Sequence, residues 1–135
     1  MRHAICYVST ANSNLSQHQI EALLSLSKER NDPVNIKGLL LYSEGNFFQI
    51  MEGDKEVVLR VYEKISQDRR HHGIIQIVGR DIENDFCEGY KVGILGDKEK
   101  SGYDVPSEYY DALQCIPPHV KKPMLKMLET FIATQ

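Results

Sequence analysis

Residues 45–53 read Gly-Asn-Phe-Phe-Gln-Ile-Met-Glu-Gly. In a strand, successive side chains point to opposite faces, so Phe47, Gln49 and Met51 share one face and Phe48 and Ile50 the other. Residues 3–9 (HAICYVS) behave the same way, with Ile5, Tyr7 and Ser9 on one face and Ala4, Cys6 and Val8 on the other. A strand that is apolar on both faces needs cover on both sides. These two segments therefore demand a layered fold in which helices sandwich a sheet.

The rest of the chain supplies those helices. Ser16-Gln17-His18-Gln19 fits a capping box, and Ile20, Leu23, Leu24 and Ser27 follow at i, i+3, i+4, i+7. Asn31-Asp32-Pro33 breaks that helix. Residues 36–42 form a second strand, 43–46 a hairpin turn and 47–52 a third strand. Asp54 caps a second helix whose stripe is Val57, Val58, Val61, Tyr62 and Ile65. Residues 68–73 end it, and 74–82 and 88–95 read as two more strands. A polar connection over 96–108 leads to two short helices. One spans about residues 107–115; the other follows Pro117-Pro118 and carries Val120, Met124, Leu125, Leu128 and Ile132. The βαββαββ order predicts an α+β, ferredoxin-like mixed sheet with one added strand. Two helices cover one face and the C-terminal helices the other, dividing the chain into residues 1–95 and a cap at 96–135. The last apolar stripe serves equally as core or as a dimer contact.

Gln49 is the misfit in this pattern. Its amide cannot enter an apolar layer without partners. In a ferredoxin-like order the first and third strands are neighbours, which sets Tyr7 beside Gln49, and Asn31 leaves the first helix near the same end of the layer. One reading is a hydrogen bond that satisfies a polar core group. The other is a slot for a flat heteroaromatic ligand with carbonyl and NH edges.

Other chemistry finds little support. A formal net charge of −3 argues against bulk binding to nucleic acid. Cys6, Cys87 and Cys115 are odd in number and lack a CxxC pair, so neither a disulfide frame nor a zinc site is indicated, and a reduced, cytoplasmic setting is expected. No apolar run is long enough to span a bilayer. Adjacent His71 and His72 diverge on a helix or a strand, which argues against a metal. Arg69 and Arg70 make a basic turn that suits a phosphate or plain solvent. Phosphate-loop, dinucleotide and nucleophile-elbow motifs are missing, and no carboxylate pair stands out. Cys6 reads as core packing.

The order CYVS – ERNDPVNIKGLLLY – GNFFQIMEG – VYEKISQDRRHHG resembles the BLUF family of blue-light sensors that use FAD, over about residues 3–95. The specific parts are Tyr-x-Ser in the first strand, an Asn seven residues before the Gly of IKGLLLY, Phe-x-Gln-x-x-Glu-Gly in the third strand, and Asp-x-Arg-His. The resemblance implies that Tyr7 donates an electron and a proton under light and that Gln49 bridges it to the flavin edge. Asn31 would hydrogen-bond the isoalloxazine, and Leu23 and Ile65 would sandwich it. Arg30, Lys64, Asp68 and His71 would line the flavin and its ribityl side, with Ser27 and Phe47 also in contact. Lys64, Asp68 and His71 fall at i, i+4, i+7, on one side if the helix continues that far. The implied cofactor is FAD, with FMN or riboflavin as alternatives. Gln49 would rotate or tautomerise, shift absorption to the red and relax in the dark. Output would pass to a protein effector or through a homo-oligomer, without catalysis.

The last strand departs from the family. Where Arg-x-Phe-x-x-Trp-x-Met is usual, this chain has Asp85, Cys87, Tyr90 and Val92. Flavin binding and primary photochemistry are expected to survive. The signal relay through Tyr90 and Val92 is expected to change, and Tyr90 is a candidate side-path electron donor. The competing expectations are a light-insensitive ferredoxin-like binding module and, ranked last, a small flavin-using reductase, for which no nicotinamide site or substrate acid is evident.

Overall fold

The computed structural model describes residues 1–83 and 89–95, together with Lys126. The first strand, β1 (Arg2–Ala11), leads to helix α1 (Gln17–Asn31) and a 3₁₀ turn (Asp32–Val34). Strands β2 (Lys37–Ser43) and β3 (Asn46–Asp54) form a hairpin, followed by helix α2 (Lys55–Ser66), β4 (His71–Ile82) and β5 (Tyr90–Leu95). Sheet order is β4-β1-β3-β2-β5, with all pairs antiparallel except β2–β5. This is the ferredoxin-like arrangement with one strand added beside β2. Asp85, Cys87, Cys115 and the expected C-terminal helices lie outside the described residues, apart from Lys126.

Local chemistry sets the element ends. The Ser16 hydroxyl accepts from the Gln19 amide at 3.1 Å while Gln19 Oε1 accepts from the Ser16 amide at 2.8 Å, completing the capping box. Asp54 caps α2 by accepting from the Glu56 and Val57 amides. The β2–β3 turn puts Glu44 and Gly45 at φ 40° and 93°, the mirror-image geometry that matches strand twist.

On one sheet face Ile5, Tyr7, Leu40, Phe47 and Met51 pack against Ile20 and Leu24 of α1 and Val58 of α2. On the other, Cys6, Leu39, Leu41, Phe48 and Ile50 are also buried. Both faces of the central strands are thus withdrawn from water, as the alternation requires. Burial pushes the Cys6 thiol well above its ordinary pKa, so it sits in the core as a neutral group.

One boundary differs from the sequence reading in a way that matters for the site. Helix α2 stops at Ser66 and β4 starts at His71, so residues 68–73 are not simply a turn. Strand β4 carries extra residues opposite Cys6–Tyr7 and opposite Val8–Thr10, the second break spanning Gly73 at φ 63°. Such bulges bend an edge strand and re-aim its side chains.

Candidate functional site

A cavity of about 550 Å³ lies between α1, α2 and the inner face of the sheet. That volume is within the range of small-molecule sites. Helix α1 lines it with Leu23, Ser27, Arg30 and Asn31; the sheet contributes Tyr7, Phe47 and Gln49. Lys64 and Ile65 come from α2, with Asp68 and His71 just beyond it. The residues singled out from sequence for ligand contact therefore face one cavity.

The floor of the cavity is a chain of buried polar groups. β1 and β3 pair so that Tyr7 stands directly opposite Gln49. Gln49 Nε2 donates to Tyr7 Oη at 2.5 Å, and both side chains are buried. On its other side, Gln49 Oε1 accepts from the Tyr90 hydroxyl. Asn31, buried at the last position of α1, lies beside Tyr90 and lowers its pKa against the larger effect of burial. Burial holds both phenols protonated, raising Tyr7 and Tyr90 above the ordinary tyrosine range. The Gln49 amide is thus bracketed by two neutral hydroxyls, and a primary amide nitrogen carries one hydrogen more than the Tyr7 bond uses.

The walls are tied down separately. His71 Nε2 lies 2.6 Å from the Ile65 carbonyl and Nδ1 2.8 Å from Ser9 Oγ. A carbonyl only accepts, so Nε2 carries a hydrogen and donates to it. His71 in this way adds a second donor to a carbonyl at the end of α2 that already accepts from the Asp68 amide at 3.1 Å. Its ring meets Phe47 edge-on, with centroids 6.2 Å apart. Ser27 returns its hydroxyl to the Leu23 carbonyl at 3.0 Å.

The structure corrects one reading and adds detail to two others. Lys64, Asp68 and His71 do not share a helix side, because α2 ends before Asp68; the bulged β4 brings His71 to the cavity instead. The Arg69–Arg70 turn is not a pair of free cations. Arg70 clamps Asp68 through Nε and Nη2 at 2.5–3.0 Å, which draws the Asp68 carboxyl below its usual range. Val92, expected in the signal relay, stands opposite Leu40 and packs on the core.

The cavity also has walls that the sequence reading left out: Val34, Leu40, Val57, Arg60, Val61 and Arg70. Some carried a signal. Val57 and Val61 belong to the α2 stripe, and the two-residue hairpin turn fixes Leu40 opposite Gln49. Arg60 sits one helical turn before Lys64. Arg30, Arg60 and Lys64 are exposed, so the cavity opens through a cationic rim.

These features fit a flavin: apolar walls from two helices, amide and hydroxyl groups for a heteroaromatic edge, and positive charge at the open end for a phosphate. Among the described residues no group of three or more His, Cys, Asp or Glu could hold a metal, and no helix is long and apolar enough to cross a membrane.

Residues 3–90 match the BLUF family, described as sensors of blue-light using FAD. The photoactivated adenylate cyclase subunit alpha-like protein FB of Euglena gracilis is 31% identical over 139 aligned positions, covering 96% of this chain and 12% of that protein. The blue light- and temperature-regulated antirepressor BluF of Escherichia coli is 32% identical over 78 positions, covering 58% of this chain and 19% of the relative. The chain thus spans less than a fifth of either relative. Klebsiella pneumoniae BlrP1, solved with FMN and cyclic diGMP, superposes with a TM-score of 0.79 at 24% identity, over 98% of this chain and 35% of that one.

Proposed function

Since the chain belongs to the BLUF family of blue-light sensors using FAD, we propose that its Tyr7–Gln49 pair is the light-driven switch and that the cavity above it holds the flavin. The observation that carries this reading is the Gln49 amide, buried and hydrogen-bonded to a buried phenol on the floor of an apolar cavity. Leu23 and Ile65 would grip the ring from the two helices, and Asn31 and Gln49 would meet its polar edge. Ser27, Phe47, Asp68 and His71 would complete the contacts, and Arg30, Arg60 and Lys64 would face the phosphate end. FAD is the expected form, and FMN, which accompanies BlrP1, suits the same rim.

When bound, the flavin supplies absorption of blue light and, once excited, oxidising power. Everything else falls to the protein. Tyr7 is kept neutral by burial and can lose an electron and a proton together, so no phenolate is stranded in the core. In the geometry described, Tyr7 accepts from Gln49, so its own hydroxyl hydrogen is aimed away from Nε2. If the amide turns end for end, Oε1 meets the Tyr7 hydroxyl as an acceptor and the NH2 group faces the other way. Once the electron and proton have returned to Tyr7, that turned or tautomerised amide is the signalling state. It changes the hydrogen bonds around the chromophore while the flavin's own bonds stay intact, so it reverses in the dark.

In this reading the domain senses rather than catalyses. It acts in the cytoplasm and hands its signal to a protein effector or a second copy of the chain. The test is spectroscopic. Protein loaded with FAD should be yellow, and its flavin band should shift reversibly to the red under blue light. Protein that cannot be loaded, or whose spectrum ignores light, would overturn the proposal.

A further inference from the structure

The family-type reading needs one tyrosine beside Gln49, and this chain has two. The Tyr90 hydroxyl donates to Gln49 Oε1 from the side opposite Tyr7, and the nearby Asn31 side chain lowers its pKa against the larger effect of burial. The main chain of Tyr90 is held as well. Its carbonyl accepts from Lys28 Nζ at 2.7 Å, and Lys28 pairs with Asp32 at 3.2 Å. Its neighbour Gly89 accepts from the Gly38 amide at 2.9 Å. Tyr90 is therefore a fixed, fully buried partner of the amide.

We propose that Tyr90 is a positioning residue that makes Gln49 two-way: its hydroxyl donates to Oε1 before the amide turns and accepts from Nε2 afterwards, and this reversal governs the return to the dark state. The inference rests on the switch proposed above. A hydroxyl carries one donor and two acceptor sites. Before the turn, Tyr90 gives its hydrogen to Gln49. After the turn, one of its acceptor sites takes the Gln49 NH2 group. Tyr7 undergoes the opposite exchange, from acceptor to donor. Both end points of the rotation thus keep both amide ends satisfied, in a site where an unsatisfied polar group is costly. A donor-only ring at position 90 would favour only the unrotated amide. A ring without a polar atom would support neither, so the rotated amide would return with no hydrogen bond at position 90 to break.

The prediction is faster dark recovery of the FAD-loaded full chain in both Tyr90→Trp and Tyr90→Phe than in wild type, because neither ring can accept from the rotated amide. Each should differ from wild type by roughly five- to tenfold, the worth of one neutral hydrogen bond. A role confined to packing would not speed both, because both replacements keep an aromatic ring. The wild-type chain gives a second readout that needs no variant to fold. With ring-labelled tyrosine, its light-minus-dark infrared spectrum should show C–O changes from two phenols, one gaining and one losing donor character. Recovery in Tyr90→Phe within twofold of wild type, or a single-tyrosine infrared change in wild type, would overturn the inference. A wild-type protein with bound FAD and no red shift would overturn the switch itself, a distinguishable result.

Discussion

Gln49 faces Tyr7 across the β1–β3 ladder, and its amide donates to the Tyr7 hydroxyl at 2.5 Å. Neither residue depends on a loop for its position. Both are carried by central strands flanked by partners on each side. Rigid support of this kind is what a switch confined to one side chain needs, because a small rotation is then not absorbed by the backbone.

Gln49→Leu should separate binding from switching. Leucine fills similar volume in an apolar cavity, so FAD should remain bound while the red shift disappears. The substitution also leaves the Tyr90 hydroxyl without its acceptor, at a cost of about 1–3 kcal/mol. Absorption spectra under blue light and a urea titration measure the two effects. A normal red shift in this variant would contradict the role given to Gln49.

Alkaline pH should destabilise the fold through groups buried in their neutral form. Tyr7, Tyr90 and Cys6 all have folded pKa values raised by burial above their unfolded ones. The folded state then holds more protons than the unfolded state, and stability falls as pH rises. Their contribution should be complete below the ordinary thiol and phenol values and decline above about pH 9. Each group adds about 1.4 kcal/mol per pH unit once its unfolded form ionises. Urea midpoints between pH 8 and 11 should show this slope, and Tyr7→Phe should flatten it; an unchanged slope would argue against burial of the neutral phenol.

Gly38→Ala should be among the most damaging single substitutions in the sheet. A Cβ at Gly38 would lie 1.9 Å from the Ile50 carbonyl oxygen, at a φ of 137° that side chains rarely adopt. The residue also anchors β2 to the start of β5 through Gly89. Strain and overpacking together should cost about 3 kcal/mol or more. Gly45→Asn is the contrasting case, since a Cβ there meets nothing within 4 Å and asparagine tolerates left-handed backbone. Thermal unfolding of the two variants should differ by well over ten degrees.

The cationic rim should discriminate between flavins by charge. Arg60→Ala and Lys64→Ala remove exposed positive charge while leaving the apolar walls in place. Affinity for FAD and FMN should fall by roughly two- to fivefold for each substitution, as expected for solvent-exposed ion pairs, and riboflavin affinity should hardly change. The difference should shrink at high salt. Equal losses for all three flavins would place the phosphates elsewhere.

Much of the fold can be read from local patterns, because period, caps and turns are local. Alternation assigns Tyr7, Phe47, Gln49 and Met51 to the helix-facing side. Ser16 and Asp54 mark the helix starts, and the two-residue turn fixes the β2–β3 register. Reading Lys64, Asp68 and His71 as a helical row fails because periodicity does not say where a helix stops. Helix α2 ends at Ser66, and the His71 ring instead caps the Ile65 carbonyl from a bulged strand.

What the sequence by itself determined is a set of faces: which side chains turn toward the helices and which turn away. It also determined that Gln49 must find partners in an apolar layer. The ferredoxin-like order already set Tyr7 beside it; only the tertiary structure brought in Tyr90 as the second partner. Tyr7 reaches Gln49 across 42 residues of chain and Tyr90 across 41, through strand pairings that no local pattern specifies. The physical reason is that hydrogen bonds between strands depend on sheet order, which is settled by burying both faces of the central strands at once.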